Sequence, residues 1–422
     1  MQPEERDYFT DHSILLDPYA YFEALRAKGP VHEPASRDVV FVTGFEEAIE
    51  VLRNAEDFSS VISVTGAAVP LPFKPAAHDI SSQLESHRNQ IPGSDLVVAY
   101  DGAPHSAARS ILTRLFMPSR LKANEAFMQG VADTMVKEVV GRGRCELINE
   151  IAAPYVTLVI ADLLGVPEDD RESFKKVLAS GPPPGNVDAE DEPHSSASLD
   201  FLAGFFVKYV QDRRANPRAD VLTELATARN PDGTTPDLAE IVKLSVFLFA
   251  AGQDTSAKLL GNSLRFLTED PDLQQRLRSN PELIATFIEE VLRLQGSTKV
   301  TFRLARKDTK IGHTAIPAGT KLVIALAAAN RDARRWPNPT DFKLDRERNK
   351  EHLAFGRGAH TCIGAPLARA EVRILLDRLL HHTSEITMSM EHHGPPGNRQ
   401  LRYEASFIIR GLEKLHLELK PR

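Results

Sequence analysis

Cysteine occurs only twice in this 422-residue chain, at Cys145 and Cys362. Cys362 stands in Phe355-Gly356-Arg357-Gly358-Ala359-His360-Thr361-Cys362-Ile363-Gly364, a glycine-rich turn, and a helical pattern follows at once as far as Leu380. A thiolate placed there is favoured by the free N–H groups and the positive end of the helix. A lone cysteine is more often a buried structural thiol. The glycines Gly356, Gly358 and Gly364 favour a backbone that comes close to something flat or large.

A second constellation is Ala250-Ala251-Gly252-Gln253-Asp254-Thr255-Ser256, inside a long apolar helical pattern. Glycine costs about 1 kcal/mol in a helix interior, and Asp and Thr compete for its backbone hydrogen bonds. A packing glycine with a back-bonded Thr accounts for Gly252 or Thr255, but less easily for both beside Asp254. The alternative is a groove for a small ligand, with a hydroxyl and a carboxylate that pass protons. Glu290 and Arg293 share a helix face at i, i+3, and Arg346 could complete a charge network with them. Such pairs are usually solvated and weak. His105 and Arg109 share another face at i, i+4. With Arg303 and His360 they make four groups that, if they converge, suit a dianionic ligand.

The elements that must position these groups are mainly helical, with small β-sheets. Helices are expected over 17–28, over Phe45 to Asn54, from Asp101 toward Phe116, over Ile148 to Leu164, Glu168 to Leu178, Leu199 to Ala215, Thr235 to about Glu269, and Asn280 to about Gln295. The middle of the longest, Leu244 to Gly252, reads as buried on all sides. A small hairpin is expected within Val31 to Val42, strands between Val300 and Ile324, and short strands after Ser384. Residues 58–100 read as a long loop, expected to act as a lid, and 181–198 as a proline-rich loop. With no repeat and no linker, residues 1–422 are expected to form one domain.

Net charge is −7, and 42% of residues are hydrophobic. That balance excludes nucleic acid or an anionic membrane as the expected partner. Two cysteines make no disulfide framework. No window approaches the roughly 18 apolar residues of a membrane span, and the N-terminus has no hydrophobic signal core. A reducing cytoplasm is the expected location, and a monomer the expected state.

The chain resembles the cytochrome P450 family. Phe355-x-x-Gly358-x-x-x-Cys362-x-Gly364 is similar to its haem-binding signature. Ala251-Gly252-x-Asp254-Thr255 is similar to its oxygen-activating helix motif, with Ser256 where Thr is commonest. Glu290-x-x-Arg293, Asn338-Pro339-x-x-Phe342 and Arg346 also follow the family pattern in order. The resemblance implies a haem b whose iron is bound by Cys362, with Phe355, Gly358, Gly364 and Ala251 against the ring. It places His105, Arg109, Arg303 and His360 at the propionates, Thr255 where it would hold iron-bound dioxygen and waters, and Asp254 where it would help relay protons. Glu290, Arg293 and Arg346 are then a structural network.

It further implies a monooxygenase of the soluble bacterial type, fed by a ferredoxin and an NAD(P)H ferredoxin reductase, that inserts one atom of O2 into a hydrophobic small molecule. The family's pocket projects onto 62–99, 180–198, Phe247, Ala250, Ala251, Thr298, Val300 and Phe407. Lys299 is expected to point to solvent, with pairing of a substrate carboxylate as the alternative. Arg114, Arg120, Arg357 and Arg369 are the expected docking patch for an acidic ferredoxin. A peroxide-driven hydroxylase or decarboxylase and a non-catalytic haem sensor are the competing readings. Both sit poorly with Asp254-Thr255.

Overall fold

Helices carry most of the chain, and one runs through its centre. The computed structural model describes residues 5–178 and 194–422. The central helix, Leu238–Glu269, has 32 residues, a length of about 48 Å at the usual rise per residue. It starts at Asp237, whose side chain accepts from the N–H of Glu240 and so satisfies one unpaired donor of the first turn. Around it pack Ala153–Leu163, His194–Ala215, Leu283–Gln295 and Ala365–His382, and their apolar side chains join in one large core. Among the described residues no helix is long and apolar enough to cross a membrane.

Against the expectation from its composition, the middle of this helix is not buried all round. Leu244, Leu248 and Phe249 are buried, but Phe247 and Ala250 are half-buried and Ala251 is exposed. Apolar residues line an internal space as readily as they fill a core, so composition alone does not separate the two.

Residues 118–142, to which the sequence reading assigns no element, form the 25-residue helix Pro118–Arg142. Pro118 opens it at a position that needs no N–H, and Gly143 closes it at φ 72°, where glycine escapes the left-handed penalty. Its buried face, Asn124, Met128, Ala132, Val136 and Val140, recurs every four residues. Residues 58–100 are likewise more structured than their prolines suggest. They carry a strand at Phe58–Ser59 and a helix at Ser81–His87, and Val61, Ile62, Ala67, Leu84 and Ile91 are buried. The loop read over 181–198 lies outside the described residues up to 193. From His194 the chain is helical.

Five strands form the main sheet, in the order Val31–His32, Val40–Val42, Lys321–Ile324, Thr301–Ala305, Phe58–Ser59. The expected hairpin pairs Val31 with Val42, and Val40–Val42 then runs parallel to Lys321–Ile324. This sheet fixes Arg303 opposite Leu322. A three-stranded sheet joins Arg144–Glu146, His416–Pro421 and Thr383–Met388.

Candidate functional site

The cysteine loop is held by its own backbone. Cys362 N–H donates to Phe355 O at 2.9 Å, Gly356 N–H to Leu353 O at 2.9 Å, and Thr361 N–H to Gly358 O at 3.1 Å. Gly358 is required here, at φ +74°, because a Cβ would stand 2.2 Å from Leu52 O. Its close approach is therefore to the helix Phe45–Arg53. A Cβ on Gly364 would lie 3.9 Å from the Cys362 sulfur. The sulfur lies deep in the protein yet keeps an open surface, so it faces an internal cleft. Burial pushes the free thiol up, against the N–H groups of Gly364 and Ala365 and the charges of Arg109 and Arg369. The helix end therefore does not by itself make a thiolate. A cation bound at the sulfur would.

The four basic groups converge on one side of that cleft. The rings of His105 and His360 lie 4.0 Å apart. Arg109 donates to Thr361 O, and Arg303 to Phe302 O at 2.6 Å. Burial, with the charges of Arg303, His105 and Arg109, pushes His360 down to about 3. Burial lowers Arg303 to about 10. Neither guanidinium has an ion pair among the described residues. The nearby Asp101 is occupied by Arg88 at 3.1 Å and Arg306 at 2.7 Å. A buried guanidinium, Arg303, beside a half-buried one, Arg109, both without a carboxylate, is costly unless an anion joins them, and a dianionic group fits that need.

The second wall of the cleft is the central helix. Ser297 Oγ donates to Thr255 O at 2.6 Å, and Gly296 packs beside Ala354 of the cysteine loop. These contacts bring Asp254 and Thr255 to the cleft. Gly252 is there for packing, since a Cβ would meet Ile160 Cδ1 at 2.7 Å. Thr255 Oγ1 donates back to Ala251 O at 3.1 Å. Asp254 Oδ2 is buried without a partner, and burial raises its pKa against the charge of Lys258. Ser256 bonds the buried Glu371, whose carboxyl is pushed up by burial to about 8.

The expected structural network is present in full. Glu290 binds Arg293 at 2.9 and 2.8 Å and Arg346 at 2.8 Å. Arg293 also reaches Asn330 O and Pro339 O. Its neighbour Glu289 escaped the sequence reading. It takes Arg369 at 2.6 and 2.9 Å and His352 at 3.2 Å. Burial alone would raise its carboxyl, yet His352 and Arg369 hold it down at about 2. Arg369 in turn lies 4.6 Å over the Phe355 ring.

Two expectations for the pocket change. Val300 is 1% exposed and shares an apolar cluster with Phe302 and Leu304, so it offers a ligand no free surface. Phe247, Ala250, Thr298 and Phe407 are half-buried and keep some. Phe407 packs beside Phe302 and Phe9. Lys299 neither points to solvent nor waits for a carboxylate. It is fully buried, and its Nζ donates to Leu15 O and Ser406 O, tying an N-terminal helix to the C-terminal turn. Burial, with the charge of Arg410, brings Lys299 down to about 7. Between that value and the ordinary 10.5 the unfolded chain holds one more proton than the folded one. Unfolding free energy is therefore expected to rise across that window, by about 1.4 kcal/mol per pH unit. Chemical denaturation from pH 7 to 10 checks this, and Lys299→Met must lose the rise.

The docking arginines are also largely engaged. Arg120 pairs with Glu224, Arg357 donates to Glu351 O, and Arg369 belongs to Glu289. Arg114 is exposed, next to Met117, which is 50% exposed.

The family model described as cytochrome P450 matches residues 190–399. Cytochrome P450 144 of Mycobacterium tuberculosis is 32% identical over 425 residues, 99% of this chain and 92% of that protein. The solved structure of Mycobacterium marinum cytochrome P450 CYP150A6, substrate-free, superposes at a TM-score of 0.94 with 46% identity over 100% of both chains. CYP109E1 of Bacillus megaterium, solved with corticosterone, gives a TM-score of 0.80 and 26% identity over 96% of this chain and 99% of its own. Likeness of this extent has one explanation: the chain belongs to the cytochrome P450 family, and it is a monooxygenase of small hydrophobic molecules that binds haem through Cys362.

Proposed function

We propose that the protein hydroxylates a terpenoid, alkyl or aromatic molecule, with Asp254 delivering protons, Thr255 holding water in the cleft, and a ferredoxin with its NAD(P)H reductase delivering electrons. The observation that carries this is Asp254, deep in the cleft wall, with one carboxyl oxygen unpartnered. The haem, when bound, supplies dioxygen activation, favoured by electron density from the thiolate. His105, Arg109, Arg303 and His360 would hold its propionates, and Phe355, Gly364 and Ala251 would pack against it. Thr255 Oγ1 spends its proton on Ala251 O, so its lone pairs accept from water in the cleft. Asp254, whose pKa is raised by burial against the charge of Lys258, is the group placed to pass a proton to the cleft as a general acid.

Phe247, Ala250, Thr298 and Phe407 form the apolar lining. CYP109E1, solved with corticosterone, supports an apolar substrate of that size class. Residues 58–100, anchored by Leu84 and Ile91 but with Val64 and Val69 exposed, serve as the lid over it.

Asp254→Asn and Thr255→Ala are each expected to cut product formation by about 100-fold, while NAD(P)H is still consumed and appears as hydrogen peroxide. Unchanged product per NAD(P)H in both variants overturns the relay. Ferredoxin docking is assigned to the face with Arg114 and Met117. Arg114→Glu is expected to slow reduction severalfold at low salt, and the two proteins to converge at high salt. Stopped-flow reduction at several ionic strengths checks it.

A further inference from the structure

The proton relay read from the sequence stops at Asp254, but the structure continues it. Lys258 stands one helical turn after Asp254, and its side chain is only 6% exposed. Its Nζ lies 3.9 Å from Asp254 Oδ1, hydrogen-bonds Glu404 Oε1, and reaches Leu412 O at 3.4 Å. Gly411 makes the room, since a Cβ there would stand 2.2 Å from Lys258 Cδ. Asp254 Oδ2 and Glu404 Oε2 are both buried without partners. Glu404 also faces Glu413, whose own cation, Arg402, is 3.6 Å away. Two carboxyls, each with one oxygen shut off from solvent, therefore share a single lysine. Burying two carboxylates beside one ammonium leaves one charge uncompensated, and a proton is the group that compensates it. The titration tendencies agree: burial raises Asp254 and brings Glu404 up to about 7.

We propose that Asp254, Lys258 and Glu404 form one proton-holding unit, in which Lys258 balances one carboxylate, a single proton shared by Asp254 and Glu404 balances the other, and Glu404 is the group that reloads Asp254. This rests on the reading of Asp254 as the proton donor. Asp254 gives its proton to the cleft and becomes a carboxylate. Glu404, with 12% of its side-chain surface open, takes a proton from solvent. Lys258 then passes one N–H proton to Asp254 Oδ1 and regains one from Glu404 Oε1, after a swing of Nζ of about 1 Å. The lysine is an ammonium before and after the exchange and a neutral amine only between its two steps, and the net movement is one proton from Glu404 to Asp254. Lys258 and Glu404 are thus positioning and reloading residues for Asp254.

The test is infrared difference spectroscopy of the haem-loaded protein against pH, with the Asp254 carboxyl band assigned by its loss in Asp254→Asn. Glu404→Gln gives Asp254 sole use of the lysine, and the apparent titration of its band is expected to fall by about one pH unit or more. Lys258→Met removes the shared cation and is expected to raise it by a similar amount. Lys258→Arg is expected to leave it near the native value. Opposite movements in the first two variants support the unit, because a merely structural role moves both alike or neither. Shifts of the same sign, or none, overturn it. Should Lys258→Met fail to fold, Glu404→Gln and Lys258→Arg decide alone: the first must lower the titration and the second must not. Failure of the relay reading shows separately, as undiminished turnover in Asp254→Asn.

Discussion

Cys362→Ser is expected to abolish the thiolate-type carbon monoxide band of the reduced protein and to lower product formation by at least about 1000-fold. The reason lies in what the loop supplies and what it does not. The loop positions the sulfur through the Cys362–Phe355 hydrogen bond at 2.9 Å and offers it the N–H groups of Gly364 and Ala365. A serine oxygen accepts those same donors but stays a neutral hydroxyl near pH 7, so it brings neither the charge nor the electron density of a thiolate. The four basic groups are untouched by the change. The variant is therefore expected to keep some haem while losing its chemistry, a combination that haem content and the carbon monoxide spectrum measure together. A band unchanged in position would remove Cys362 as the ligand.

Glu290→Ala is expected to be strongly destabilising, by about 3–5 kcal/mol in chemical denaturation. Glu290 and Arg293 have fully buried side chains, and that of Arg346 is only 5% exposed. Without Glu290 two guanidiniums remain in the interior with no carboxylate between them. They cannot turn to solvent, because each is also bound to backbone carbonyls: Arg293 to Asn330, Pro339 and Asp341, Arg346 to Pro337, Asn338 and Asp341. Arg293→Lys is expected to be nearly as damaging, since an ammonium cannot reproduce the planar fork that reaches Glu290 and three carbonyls at once. A loss below 1 kcal/mol in Glu290→Ala would show that the pair is a bystander.

The residues that announce the chemistry were readable because their partners are close in sequence. Gly358, Cys362 and Gly364 lie within one turn, Asp254 and Thr255 are neighbours, and Glu290 and Arg293 share a helix face. Periodicity carried the long helices too, except Pro118–Arg142, where polar positions such as Asn124 occupy the buried stripe. It failed at the middle of the central helix, because residues facing a cleft and residues facing a core are equally apolar.

Other assignments depend on partners far along the chain. Glu289 meets Arg369 across 80 positions, Lys258 meets Glu404 across 146, and Lys299 meets Leu15 across 284. Periodicity tells which face a side chain occupies and says nothing of which carbonyl or carboxylate waits there. The same limit applies to glycine: its presence at Gly358 was plain, but that it clears Leu52 O appears only when the two segments are packed. Motifs built from near neighbours carried the family resemblance, and that resemblance implied the cofactor site and the class of reaction. The pairing of buried charges was decided by the fold alone, because a buried ion must find its counter-charge wherever packing brings one.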